Sequence, residues 1–399
     1  MTAIETGLDR CVRERTGIPG GAQFGLLMNR ASVDRDVRPA CEVLAEAFPG
    51  QLAALFTPQH GLWGEQQANM VESPHGQHAE LGVPIYSLYS ETRRPTPEML
   101  GGLDLFVVDL QDVGTRVYTF VWTVLNCLSA CADAGIPMLV LDRPNPIGGR
   151  LVEGPLLDLK FRSFVGEASI PMRHGLTLGE LARLLNDEEN IGASLDVVPV
   201  RGWKRSDLFD AFGRHWIPPS PNLPRFESAL VYPGQVLLEG TNLSEGRGTT
   251  TPFEVVGAPF INPDGLYHSM NGLSLPGVKF LPTRFTPAFD KWAGESCGGV
   301  SLHVTDPDEF RPLQTTVALI AEVKRRWPDH FTWIEPPYEY EMFLPPIDII
   351  CGGTWLRETL DSVSSRDDDG PVALERLNEV EWWQRVSPIL LYDEPAQTY

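Results

Sequence analysis

At 399 residues the chain is longer than a single hydrophobic core usually serves, so two domains are expected. Its 53 acidic and 32 basic side chains leave a formal charge of −21, which repels nucleic acid and anionic membrane surfaces, and neither is an expected partner. Hydrophobic residues make up 42% of the chain, ordinary for a globular protein, and no window approaches the roughly 20 apolar residues of a membrane span.

Residues 5–17 read as an opening helix closed by Gly17, charged and without an apolar run of signal-peptide length, which points to a cytoplasmic location. Phe24 to Met28 is a short buried strand ending at Asn29 and Arg30. Helical spacing over Pro39 to Phe48 leads to a second strand, Leu52 to Phe56, which ends in Gln59, His60 and Gly61, with Trp63 and Glu65 just beyond. Residues 66–83 are polar and lack periodicity, the composition of a long surface loop or lid. A third strand, Ile85 to Tyr89, runs into Glu91, Arg93 and Arg94. Thr96 then reads as the N-cap of a short helix with Pro97 at its first position. Leu103 to Val108 is a continuous apolar strand that stops at Asp109, Gln111 and Asp112. Tyr118 to Ala134 is helical and closed by Gly135, and Ile136 to Leu141 is a fifth strand ending in Asp142, Arg143 and Asn145.

Five apolar runs that each end in a polar loop, with helical patterns between several of them, predict a parallel, doubly wound, Rossmann-like sheet. In such sheets the ligand site lies beyond the carboxyl ends of the strands. No GxGxxG follows the first strand, so a dinucleotide is not expected, and no cofactor is called for. Thr177 to Asn186 carries a capping box through Glu180, and Leu195 to Val200 reads as a further strand. The run HWIPPSPNLP, residues 215–224, holds four prolines and marks the domain boundary, giving domains 1–225 and 226–399. Gly234 to Thr251 crowds Glu239, Asn242, Glu245 and Arg247 among four glycines, a tight polar loop suited to folding over something. Toward the end, 298–304 reads as a strand, 313–326 as a helix, 343–357 as an ordered connection, 366–370 as a turn and 374–386 as a last helix. The six cysteines are widely spaced, and Cys127 and Cys131 read as core-facing helix residues.

Glycosidic cleavage typically needs a protonated carboxyl for the leaving oxygen and a second group for the anomeric carbon or its water. Glu65, Glu91, Asp109, Asp112 and Asp142 follow parallel strands, and Glu153, Glu239 and Glu245 lie on later loops. Singly, each is as readily a helix cap or a surface ion pair, but acids after parallel strands converge on one sheet edge. Arg93, Arg94, Arg116, Arg143 and Arg247 either neutralise these acids or leave one or two guanidinium groups to clamp a ligand carboxylate. His60 fits a base, a sugar-binding donor or a metal ligand, although too few further ligands are at hand for a metal. Tyr86, Tyr89, Tyr118, Trp63 and Trp122 could stack on a sugar face or simply pack. Asn29, Gln111, Asn145 and Asn242 complete the polar candidates of these loops.

The strings LFTPQHGLWGE, PIYSLYSETRRPTPEML, DLFVVDLQDVGTRVYT, LDRPNPIGG with LVEGPLLD, PMRHGLTLGELARL, PPSPNLP, LLEGTNLSEGRGTT and CGGTWLRE occur in order along the chain. They resemble the exo-β-N-acetylmuramidase family, long catalogued as a domain of unknown function. The resemblance implies a Rossmann-like catalytic N-terminal domain and a smaller α+β C-terminal domain that completes the cleft. It also implies release of N-acetylmuramic acid from the non-reducing ends of peptidoglycan fragments, without a cofactor. Glu91 in SETRRP and Glu65 in HGLWGE sit on matching positions as acid/base candidates, with Glu153 next. A MurNAc-containing muropeptide or disaccharide is the expected partner. Two other readings stay open at this point: a catalytically silent sugar-binding protein with the same pocket, and a metal-dependent hydrolase using His60, Asp109 and Asp112.

Overall fold

The structure, a computed structural model, describes residues 4–67, 71–362 and 377–393. Strands β1 (Phe24–Met28), β2 (Leu52–Thr57), β3 (Gly76–Gln77), β4 (Pro84–Ser87), β5 (Leu105–Asp109), β6 (Met138–Leu141) and β7 (Leu195–Val198) form one sheet in the order β3-β4-β2-β1-β5-β6-β7. Every neighbouring pair is parallel except β3 with β4. The continuous apolar runs exist because both faces of this sheet are covered. Leu26, Leu55, Val107 and Leu139 pack under the helices Gly7–Glu14 and Ala40–Ala47. Alternate residues Leu27, Phe56, Val108 and Val140 pack under Phe120–Ala134 and Leu178–Glu188.

From β1 the chain winds through β2 to β4, then crosses back over β1 to β5. The strand order therefore reverses between β1 and β5, and Asn29, His60, Glu91, Asp109 and Asp142 all fall at the carboxyl edge of the sheet. The local signals hold. Thr96 accepts from Met99 N, Gly135 ends its helix at φ 67°, and Thr177 and Glu180 close a reciprocal box at the head of Leu178–Glu188. Such a cap contributes about 1 kcal/mol.

A second, antiparallel sheet, β8-β10-β9, is built from β8 (Val255–Ala258), β9 (Val278–Phe285) and β10 (Cys297–Val304). It packs with the helices Pro263–Gly272, Pro312–Arg326 and Phe226–Gln235, giving the two-domain α/β architecture. Helix Phe226–Gln235, β8, β9 and Pro263–Gly272 carry weak sequence signals: Pro233 lies inside the first, and Pro282 inside β9 is tolerated because that strand is an edge. Helices 226–235 and 312–326 touch at Gly234, where a Cβ would fall 1.9 Å from the Pro312 carbonyl oxygen.

Several expectations are corrected. The opening helix ends at Arg15, itself left-handed at φ 52°, ahead of Gly17. The 66–83 loop is tied down in part: β3 pairs with β4, and Ser73 N donates to Tyr89 O at 3.0 Å. Gly234 to Gly240 is helical and buried, and only the stretch from Thr241 onward is a loop. The 343–357 connection contains the helix Pro346–Cys351 and the start of the helix Trp355–Ser362. The 366–370 turn and residues 374–376 lie outside the described residues, and the last helix is Glu379–Val386. That helix and the segment after it pack back on the first domain, with Trp382 Nε1 donating to His174 O at 3.1 Å and Tyr392 OH to Asp142 at 2.5 Å. Among the described residues, no helix is long and apolar enough to cross a membrane.

Candidate active site

A pocket opens between the two domains above the carboxyl end of β2. Gln59, His60, Tyr118 and Thr119 line it from the sheet side, and Glu239, Arg247, Tyr338 and Glu339 from the other. His60 is buried at φ 77°, with Nδ1 2.6 Å from the Gln66 carbonyl oxygen. A carbonyl can only accept, so Nδ1 carries the proton and Nε2 is left as an acceptor. Burial lowers the His60 pKa to about 4, which keeps the ring neutral.

One hydrogen-bonded chain joins the domains across this pocket. Thr119 Oγ1 donates to Gln59 Oε1 at 2.9 Å, Gln59 Nε2 to Tyr89 OH at 3.4 Å, and Tyr89 OH to Glu339 Oε2 at 3.3 Å. Beside it, Glu239 accepts from Arg247 Nη2 and from Tyr338 OH, both at 2.6 Å. Glu245 stands behind, 2.9 Å from Lys291 Nζ and 3.2 Å from Arg247 Nε. Although its burial works the other way, Lys291 and Arg247 hold the Glu245 carboxyl below its ordinary range. Burial, with Glu239 adding to it, lifts Glu339 to about 7. The Tyr118 hydroxyl is buried and has no hydrogen-bond partner among the described residues. An unsatisfied buried hydroxyl costs about 1–3 kcal/mol, which a ligand could repay with one hydrogen bond.

Of the sequence candidates, His60, Tyr118, Glu239 and Arg247 come together here. Arg93 lies at the edge, its guanidinium 4.2 Å from the Tyr89 ring centre and 4.8 Å from that of Tyr340. Glu91 is exposed and outside the lining, and bonds from Ser90 and then His75 lower its pKa to about 2. That is the reverse of the raised value an acid catalyst needs. Glu65 is also exposed, with its carboxylate against Gly61.

The remaining candidates are corrected by their surroundings. Glu153 is used up as a helix anchor, accepting from Leu313 N and Gln314 N at 3.0 and 2.8 Å at the start of Pro312–Arg326. Arg94 pairs with Asp133 at the surface. Arg116 is fully buried and donates to the carbonyls of Pro155, Ile170 and Ile350, holding three segments together. Asp109 and Arg143 form a closed bidentate pair at 2.6 and 2.7 Å. Asp142 caps the helix Leu178–Glu188 through Thr177 and Gly179. Asn29 and Asn145 satisfy backbone groups in their own turns, and Gln111 donates to the carbonyls of Asp112 and Pro144. Asn242 pins residues 330–332, and Glu245 acts on Arg247 from behind. His60, Asp109 and Asp112 form no donor set, because Asp109 is enclosed with Arg143; among the described residues no three His, Cys, Asp or Glu side chains group as a metal site. Of the aromatic candidates, Trp122 is core, whereas Trp63 is 59% exposed.

Sequence reasoning missed Tyr338, Glu339 and Asn222, which also line the pocket. Glu339 sits in PPYEYE, far along the chain from any parallel strand, and no rule about strand ends reaches it.

Residues 24–227 match the family described as exo-β-N-acetylmuramidase NamZ, N-terminal, and residues 230–392 match its C-terminal counterpart. The peptidoglycan β-N-acetylmuramidase NamZ of Bacillus subtilis (strain 168) is 42% identical over 362 residues, covering 91% of this chain and 85% of that protein. Crystal structures of two DUF1343 family proteins from Bacteroides fragilis share the fold. One has a TM-score of 0.87 at 32% identity and the other 0.75 at 27%, each covering 98% of this chain and 100% of the other. The chain belongs to the exo-β-N-acetylmuramidase NamZ family and is a glycosidase.

Proposed function

We propose that this glycosidase releases N-acetylmuramic acid from the non-reducing end of peptidoglycan fragments, by carboxylate acid/base chemistry in the pocket between its domains. The observation that carries this reading is the pocket itself, where carboxylates, a neutral histidine and a tyrosine hydroxyl without a partner among the described residues face one space from two domains. The activity named for the Bacillus relative supports the choice of sugar. Glu91 and Glu65 are exposed and lie outside the pocket lining, so the carboxylates within reach of a sugar held there are Glu239 and Glu339.

Muramic acid differs from N-acetylglucosamine by a lactyl ether bearing a carboxylate, so discrimination needs a local cation in this acidic protein. Arg93 is the best placed. Arg94 and Arg116 are engaged elsewhere, Arg247 is neutralised by two glutamates, and the Glu72 carboxylate approaches Arg93 only to 3.9 Å. Aromatic rings hold its guanidinium plane in place. The test compares release of 4-nitrophenol from β-N-acetylmuramide and β-N-acetylglucosaminide. The wild type should prefer the muramide, and Arg93→Met should cut that preference by about 10–100-fold, the worth of a charge-assisted pair. A wild type that cleaves neither compound nor a MurNAc–GlcNAc disaccharide sinks the reading.

Two finer points belong to the same proposal. The domains divide near 225/226, supported by the two family matches meeting between residues 227 and 230, with the 379–392 segment returning to the first domain. The enzyme works in the cytoplasm on small muropeptide sugars, supported by six buried free thiols, and cell fractionation tests this.

A further inference from the structure

Residues 338–341 form a two-residue hairpin turn. Tyr338 and Glu341 exchange both backbone hydrogen bonds at 2.9 Å, and the two residues between them, Glu339 and Tyr340, both have positive φ, 43° and 69°. Such turns are normally filled by Asn-Gly, because left-handed backbone strains other side chains. Here it carries a glutamate and a tyrosine, and each is put to use. Glu339 is pushed into the interdomain pocket, 4% exposed, and Tyr340 closes over Arg93. Strain kept at a cavity wall is a pointer to function.

We propose that Glu339, delivered by this strained hairpin and oriented by the Tyr89 hydroxyl, is the acid that protonates the leaving glycosidic oxygen. The proposal rests on the glycosidase reading above and supplies the acid that Glu91 is poorly placed to be. The groups facing Glu339 act in both directions, and burial with Glu239 prevails. Glu239 opposes its ionisation from the second domain, while the positive charges of Arg247 and Arg93 work against that effect and Tyr89 donates to Oε2. Tyr338 and Tyr232 stay protonated, and His60 across the pocket is neutral. With its pKa at about 7, the carboxyl keeps a proton to give near neutral pH. In the step, the anomeric C1–O bond breaks with its electron pair going to oxygen, and that oxygen takes the Glu339 proton. A water oxygen then bonds to the anomeric carbon, and the surplus proton of that water returns to Glu339 by way of solvent. One water is consumed and two sugars are released.

The test exploits leaving-group dependence. A MurNAc–GlcNAc disaccharide needs a proton on its leaving oxygen, whereas 4-nitrophenolate leaves without one. Glu339→Gln should lose about 10²–10⁴-fold in kcat on the disaccharide and far less on 4-nitrophenyl β-N-acetylmuramide. Glu339→Asn, a residue at ease in left-handed backbone, should match or exceed the wild-type Tm and show the same split, which separates chemistry from folding. In the wild type, kcat/KM on the disaccharide should fall as pH rises through about 7, with little such fall for the nitrophenyl substrate. Equal loss on both substrates in the two variants, or undiminished disaccharide turnover, overturns the assignment of Glu339. A wild type inactive on both substrates overturns the glycosidic reading instead.

Discussion

Two polar clusters lie at the same carboxyl edge of the parallel sheet, and both are buried. The one beyond β5 and β6, built on Asp109, Arg143 and Asp142, is closed: each charged oxygen meets a guanidinium, a helix amide or a hydroxyl of the protein itself. Burial pushes the Asp109 carboxyl up and the bidentate Arg143 pulls it back. The one beyond β2, facing the second domain, is open. Glu239 is held by Arg247 and Tyr338, but the Tyr118 hydroxyl has no hydrogen-bond partner among the described residues, and burial lifts the Glu339 pKa to about 7. On the sheet side sequence position cannot tell the two apart, since His60 follows β2 just as Asp109 ends β5 and Asp142 follows β6. What separates them is whether another part of the chain arrives to complete the cluster or leaves room for a ligand.

The largest effect should come from breaking the closed cluster. Arg143→Met strands Asp109 as a buried charge, and unfolding in denaturant should show a loss of about 3–5 kcal/mol. The molecules that still fold should keep the wild-type kcat. If stability held while turnover vanished, Asp109 and Arg143 would belong to the site after all.

A smaller effect is written in pH. The folded His60 pKa of about 4 lies below the ordinary 6.5, so the unfolded chain binds this proton first and stability falls as pH drops from 6.5 toward 4. Glu339 and Asp142, raised to about 7 and about 6, act in the opposite sense: they disfavour the fold where they ionise and cease to do so as pH falls. The His60 contribution is isolated by comparison with His60→Asn, a residue that tolerates the same left-handed backbone. Between pH 7 and pH 5 the wild type should lose about 2 kcal/mol relative to the variant. Parallel pH profiles would mean that His60 is hydrated and that this side of the pocket is wetter than its packing implies.

Tyr118→Phe removes a hydroxyl that has no partner among the described residues, so stability should hold or rise slightly while muramide turnover falls by about tenfold, one hydrogen bond's worth. A clear drop in Tm would show that the hydroxyl has a protein partner and that the pocket is closed like its neighbour. The smallest effect is expected at Arg94→Ala, which breaks only a surface pair with Asp133: less than about 0.5 kcal/mol and no change in the muramide-to-glucosaminide ratio. A lost preference there would move the lactyl clamp from Arg93 to its neighbour.

The sequence by itself determined the parallel sheet, its carboxyl edge and the family. Buried parallel strands must be apolar throughout, and caps such as Thr96, Thr177 and Gly135 are local chemistry that a string of residues displays directly. It also placed His60, Tyr118, Glu239 and Arg247 among the candidates, since loops after strands and glycine-crowded turns announce themselves. Only the tertiary structure decided which charges are spent. Arg116 reads like a ligand clamp until three carbonyls close around it, and Glu153 reads like an acid catalyst until the helix beginning at Pro312, some 160 residues further on, docks its free amides on it. Glu339 was illegible for the converse reason. Its place in the pocket depends on a hairpin from the second domain meeting Tyr89 of the first, 250 residues away in the chain, and a contact of that range leaves no periodic trace.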